Sequence, residues 1–186
     1  MASHDTKLGI GLSTGMFYHA PAGTALPSYP SATLSASWVE VGDVTQDGIT
    51  LALNKTTEAL KNWANVTKRV ILTDHSETIE APIQDTTAEV FKTIVGEDNV
   101  SITAANSTHG NLVSVSLSES SLPPEEAFLF LMKDDDDMIA IGCTNAQITS
   151  IANVTFAPNG AIVWTPTITA LENGWKLITD DGDVTS

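Results

Sequence analysis

Between Asp47 and Ile83 the chain carries a pattern that few structures other than an antiparallel sheet can satisfy. Ile49, Leu51 and Leu53 alternate with Gly48, Thr50, Ala52 and Asn54, while Ile71, Ile79, Ala81 and Ile83 fall opposite Asp74, Ser76, Thr78 and Glu80. Successive side chains of a strand point to opposite sides, so each run reads as a strand with one apolar and one wet face. Residues 54–68 between them are polar and charged, with Trp63 near the middle and Lys55, Lys61, Lys68 and Arg69 around it. This stretch is predicted to be a long inter-strand loop, and structureless loops of such length are uncommon in compact domains unless they do something. Its tip is a candidate docking element. His75 and Glu77 break the pattern by falling on the apolar face, which calls for either a bulge or a neighbour at that point.

The same alternation returns at Val100–Ala104 and Val113–Leu117, joined by a turn over 106–111, so four strands share an apolar face and a small, uncharged or acidic one. Ala127–Met132 and Met138–Ile141 are instead apolar throughout, as strands covered on both faces are. Further strands are predicted at Leu34–Val41, Ile148–Phe156, Ala161–Ala170 and Trp175–Thr179, with a hairpin turn at Glu172–Gly174. One helix is expected. Thr86 and Glu89 have capping-box spacing, Val90, Phe91, Ile94 and Val95 form a stripe, and Gly96 supplies the stop. Residues 1–30, rich in Gly, Pro and Ser, read as an extended N-terminal arm whose Phe17, Tyr18 and Leu26 pack on their own domain or on a neighbour. Residues 180–186 read as an acidic C-terminal tail. The expected fold is mainly β, a β-sandwich or partial barrel with one short flanking helix, in a single domain spanning 1–186.

Charge narrows the function. Eight Lys and Arg stand against 23 Asp and Glu, a net of -15, which opposes any role that neutralises phosphates with a basic patch. Cys143 is the single cysteine and lies in an apolar run, where it reads as a small core residue. The first residues lack a basic region followed by an apolar stretch, and no apolar run approaches the roughly 20 residues a membrane span needs. Synthesis in the cytoplasm and no membrane association are expected.

Candidates for chemistry are sparse. His4, His19, His75 and His109 have no metal-ligand spacing, and His19 and His109 are read as arm and turn residues. Asp134–Asp137 could offer oxygens to a hard cation, yet four consecutive carboxylates point in different directions, so a solvated turn is preferred. The sequence is read as having no catalytic residues, no metal and no cofactor. Phe17, Tyr18, Trp63 and Trp175 could stack on sugar rings, which supports an alternative reading as a monomeric carbohydrate-binding or adhesin-like β-sandwich.

Thr14 to Pro27, then Gly42–Ile49, the loop tryptophan Trp63, a Thr-rich strand, a short helix and Gly96–Asn99 at its end follow one another in an order that resembles the major tail tube proteins of long-tailed, non-contractile bacteriophages. The resemblance is good over about residues 14–100 and holds in outline beyond. It implies a structural virion protein that self-assembles into hexameric rings stacked as a tail tube, with DNA leaving through the lumen without specific binding. It also implies contacts with tape measure and tail tip or terminator proteins. Under this reading Phe17, Tyr18, Leu26, Lys55, Lys61, Trp63, Lys68 and Arg69 are subunit or ring interface residues. Thr50, Asn54, Asp74, Ser76, Thr78, Glu80, Thr103, Ser114 and Ser116 face the lumen. Six copies at -15 would give roughly -90 per ring, a sign that repels phosphates and lets DNA slide.

Overall fold

The computed structural model describes residues 9–12, 16–118, 122–134 and 137–179. Its strands are β1 (Ile10–Gly11), β2 (Phe17–Pro21), β3 (Val39–Gly42), β4 (Thr50–Lys61), β5 (Thr67–Glu80), β6 (Val100–Thr103), β7 (Leu112–Val115), β8 (Glu126–Asp134), β9 (Asp137–Ile151), β10 (Pro166–Glu172) and β11 (Lys176–Thr179). One helix, α1 (Ala88–Val95), lies between β5 and β6 and runs into a short 3-10 turn, Glu97–Asn99. The chain is thus mainly β with one short helix, as the alternation implied.

Nine strands form one antiparallel sheet in the order β3-β2-β8-β9-β10-β5-β4. β1 extends the ladder of β2 along the same edge of β8, and β11 extends that of β10 along β9. β6 and β7 form a separate two-stranded sheet. The continuously apolar segments therefore become the two central strands, and both their faces are covered.

Phe128 and Phe130 of β8 point to the side of the helix, where they join Phe17, Ile79, Ile83, Ile148, Ile168 and the buried helical stripe. Phe17 stacks on Phe130 with ring centroids 4.4 Å apart. Ala127, Leu129 and Leu131 point the other way, onto Ala20 and Trp38 with Leu26 and Leu34 packed alongside. There the backbone of Gly142 is approached so closely that an added Cβ would lie 2.6 Å from the Leu26 side chain. A methyl group at that position would also lie 2.9 Å from the Phe128 carbonyl oxygen, so it would force both the Leu26 side chain and the β8 backbone to shift.

Helix α1 is held mainly by packing. Val90, Phe91, Ile94 and Val95 are buried, a gross gain on the order of 6–12 kcal/mol, and Phe91 meets Trp164 edge to face at 5.1 Å. The cap contributes about 1 kcal/mol and sets the first turn. Its residue is Thr87, one position later than the spacing suggested: the Thr87 hydroxyl accepts the Val90 N–H at 3.3 Å. Gly96, at φ 88°, ends the helix as expected.

Four expectations are corrected. Residues 54–68 are not a loop: β4 and β5 continue through them and close at a compact turn over 62–66, where the Asn62 side chain accepts the Val66 N–H at 2.9 Å and Asn65 takes a φ of 61°. Two bulges, at Thr73 and Lys68, break the period and hide this continuation in the sequence. The arm over 1–30 contains β2, a full member of the main sheet, and of the arm only residues 9–12 and 16–30 are described. Glu172–Gly174 is not a hairpin turn. β10 and β11 run in the same direction along β9, and Asn173 and Gly174, both at φ 62°, form a bulge between them. The strands predicted at Met138–Ile141 and Ile148–Phe156 are one continuous strand, β9, which ends at Ile151, and the strand predicted from Ala161 begins at Pro166 as β10. The tail over 180–186 lies outside the described residues.

Candidate assembly surface

Beyond its base, where β5 pairs with β10 and Ile79 enters the core, the β4–β5 hairpin is the largest part of the fold left uncovered by other described residues. From Thr50 to His75 every residue is exposed except Ala52, which is half-buried. A two-stranded ribbon gains little stability alone in water, so its bare faces are the natural place to look for a contact.

Register fixes what each face offers. On one side Thr50, Ala52, Asn54 and Thr56 lie against Glu80, Thr78, Ser76 and Asp74. All six of the hairpin residues assigned to a wet face thus share one surface. On the other side Leu51, Leu53, Lys55, Thr57 and Ala59 lie against Ile79, Glu77, His75, Leu72 and Val70. Ile79 at the base is buried, whereas Leu53 and Val70 are each 60% exposed. The bulge at Thr73 moves Ile71 to the polar side, so it no longer shares a face with Ile79.

That bulge lies beyond His75 and Glu77 and leaves both on the apolar side. Glu77 has an internal role there. Its carboxylate accepts the Trp175 N–H at 2.8 Å, and its carbonyl accepts the Trp175 indole N–H at 3.3 Å, so it satisfies the amide freed by the β10–β11 bulge. Gly174 is packed so tightly against that carboxylate that a side chain there would collide with it.

Charge sets the hairpin apart. Over residues 50–80 four basic residues, Lys55, Lys61, Lys68 and Arg69, balance four acidic ones, so the whole net charge of -15 lies outside it. Between Lys55 and Thr73 Glu58 is the single acid, and the tip is therefore locally positive. Trp63 stands fully exposed at the turn.

The other candidates separate. Phe17 is wholly buried within its own chain and cannot serve an interface; this corrects its assignment. Leu26 is likewise engaged by its own sheet, and Tyr18 is half-buried beside it. Thr103 and Ser114 share one face of the β6–β7 sheet, and Ser116 follows β7, its N–H donating to the Asn99 carbonyl. These three do not join the hairpin's polar face within one chain. Trp175 packs into the core near Phe130, so among the proposed sugar-stacking aromatics Trp63 alone stands free in solvent.

Cys143 is buried, and its thiol, raised in pKa chiefly by that burial, donates to the Asn145 carbonyl at 3.2 Å. Among the described residues no three His, Cys, Asp or Glu side chains converge as metal ligands, and no helix is long and apolar enough to cross a membrane. Asp134 and Asp137 pair across the β8–β9 connection, whose middle two residues lie outside the described ones. His19, read as an arm residue, sits instead on β2 between Glu126 and Glu89, a grouping no sequence spacing announces.

A search of curated proteins finds no match. The phage tail tube protein family does match, over residues 1–180. With a mainly β body, one flanking helix and a bare self-contained hairpin already in place, this match covers nearly the whole chain, and the chain belongs to the phage tail tube protein family.

Proposed function

We propose that this chain is the repeating subunit of the tube wall, that six copies close a ring, and that rings stack through the β4–β5 hairpin. The observation that carries the reading is the hairpin itself: bare on both faces, polar on one, apolar on the other, and positive at the tip of an acidic body. A basic tip meeting an acidic surface of a second copy is favourable and steers association. The interface then comprises Tyr18, Lys55, Lys61, Trp63, Lys68 and Arg69. Thr50, Asn54, Asp74, Ser76, Thr78 and Glu80 face an aqueous lumen, and Thr103, Ser114 and Ser116 join them only if assembly brings the smaller sheet alongside. DNA passes without specific binding, since a wall of like charge repels phosphates at close range. Tape measure and tail tip or terminator proteins are the partners at the tube ends, and the protein works in the virion tail after synthesis in the host cytoplasm.

Electron microscopy of concentrated, purified protein tests the reading. Tubes are expected; protein that stays monomeric and binds a glycan column would favour the adhesin-like alternative. Replacing Lys68→Glu and Arg69→Glu together should leave the subunit folded and abolish tubes. A Thr78→Cys thiol in assembled tubes should resist a bulky reagent supplied from outside, and rapid labelling along the tube would reverse the assignment of the two faces.

A further inference from the structure

The geometry points to a proton-dependent clasp at His19 that pins helix α1 to the β2–β8 ladder. Three elements far apart in sequence meet at this imidazole. Its Nδ1 lies 3.0 Å from Glu126 Oε2 at the start of β8, and its Nε2 lies 3.3 Å from Glu89 Oε1 in the first turn of α1. The ring is 13% exposed. A neutral imidazole has a single N–H, so one of the two carboxylates would then face a lone pair; the imidazolium donates to both. Two carboxylates held on opposite sides of one ring are therefore satisfied together only by the protonated form.

The surroundings agree. Lys92 Nζ lies 3.6 Å from Glu89 Oε2, which leaves the other Glu89 oxygen for His19. Glu97 of the 3-10 turn lines the same cleft, and Glu125 lines the adjoining one, so every remaining charged neighbour from these elements is acidic. From β3, Glu40 is paired with Tyr18, which points to the opposite side of β2. Burial is the largest single influence on the ring and opposes its charge, but the hydrogen bond and charge of Glu126, followed by those of Glu89, outweigh it and hold the pKa above the ordinary 6.5. The sign follows. The clasp is fully closed below 6.5 and is lost as the pH rises through the elevated value of the folded chain. On losing the proton the ring keeps one N–H, for the nearer Glu126, and Glu89 keeps Lys92; the polar tie from α1 to β2 is then lost, and the first turn of the helix is held there by packing alone.

Deuterium exchange on the full chain tests this whether the protein is monomeric or assembled. Exchange at the imidazole C2 position, followed in the peptide containing His19, should give a midpoint above 6.5, and Glu89→Gln should lower it. Amide exchange of residues 88–95, corrected for the intrinsic pH dependence, should rise across the same midpoint by about tenfold for each pKa unit separating the closed and open forms. His19→Gln should remove that rise, and Glu89→Gln, a change at a part-exposed side chain, should remove it even if His19→Gln does not fold. A His19 midpoint at or below 6.5 would overturn the clasp. So would a helix whose protection depends on pH identically in the wild type and in Glu89→Gln.

Discussion

β8 and β5 are both long strands of the same sheet, yet they stand in opposite relations to solvent. β8 buries residues on both faces, with Phe128 and Phe130 on one and Leu129 and Leu131 on the other. β5 is five residues longer and buries one side chain, Ile79. The difference teaches that alternation in a sequence reports which face is apolar but not whether that face has a cover. A strand buried on both sides announces its surroundings through an unbroken apolar run, whereas a strand buried on one side and a strand bare on both can read alike.

Substitutions at the two strands sharpen this contrast. The largest effect on the free subunit should come from Phe130→Ala, which opens a cavity between the Phe17 ring and the core; a loss of roughly 3–5 kcal/mol in denaturant unfolding is expected. Glu77→Ala leaves the Trp175 N–H without its acceptor and should cost roughly 1–3 kcal/mol, so a neutral result would remove the internal role given to this carboxylate. Thr87→Ala should cost about 1 kcal/mol through the lost helix cap, with the deficit confined to exchange of the first helical turn. Smallest of all is Leu53→Ser, whose side chain touches little in the subunit: unfolding should move by no more than about 0.5 kcal/mol. The same change should abolish tubes under the electron microscope. A large stability loss there would mean that the hairpin is covered in the free chain and that the contrast with β8 is false.

How much of this was legible depends on where each signal resides. The central strands were, because an apolar run without alternation has few other uses. The helix was as well, since its stripe, a threonine cap and Gly96 all fall within eleven residues; two adjacent threonines left the cap ambiguous by one position. β2 was not, because five residues set among Gly and Pro carry too little pattern, and what makes them a strand is a partner ladder at Glu126–Phe130. The continuation of the hairpin was hidden by one extra residue at Thr73 and another at Lys68, each of which reverses the parity on which an alternating pattern depends. The concentration of basic residues at the tip needed only counting. Its setting on a neutral hairpin, apart from the acidic body, emerged once the strands had definite ends.

The separation between paired residues also imposes an order in time. Each rung of β4–β5 joins residues that follow one another closely around a single turn, so the hairpin can close soon after both its strands have left the ribosome. β2 can pair with β3 early, but its other edge must wait: His19 and Glu126 are 107 residues apart, and the main sheet cannot close on β2 until β8 has been made. During that interval the nascent chain displays a bare edge strand before it has a body to attach it to. Lys55 and Lys61 interrupt β4, and charges of this kind on an edge are what discourage premature pairing between chains. The same lysines that give the finished hairpin its positive tip thus guard it while the rest of the subunit is still being synthesised.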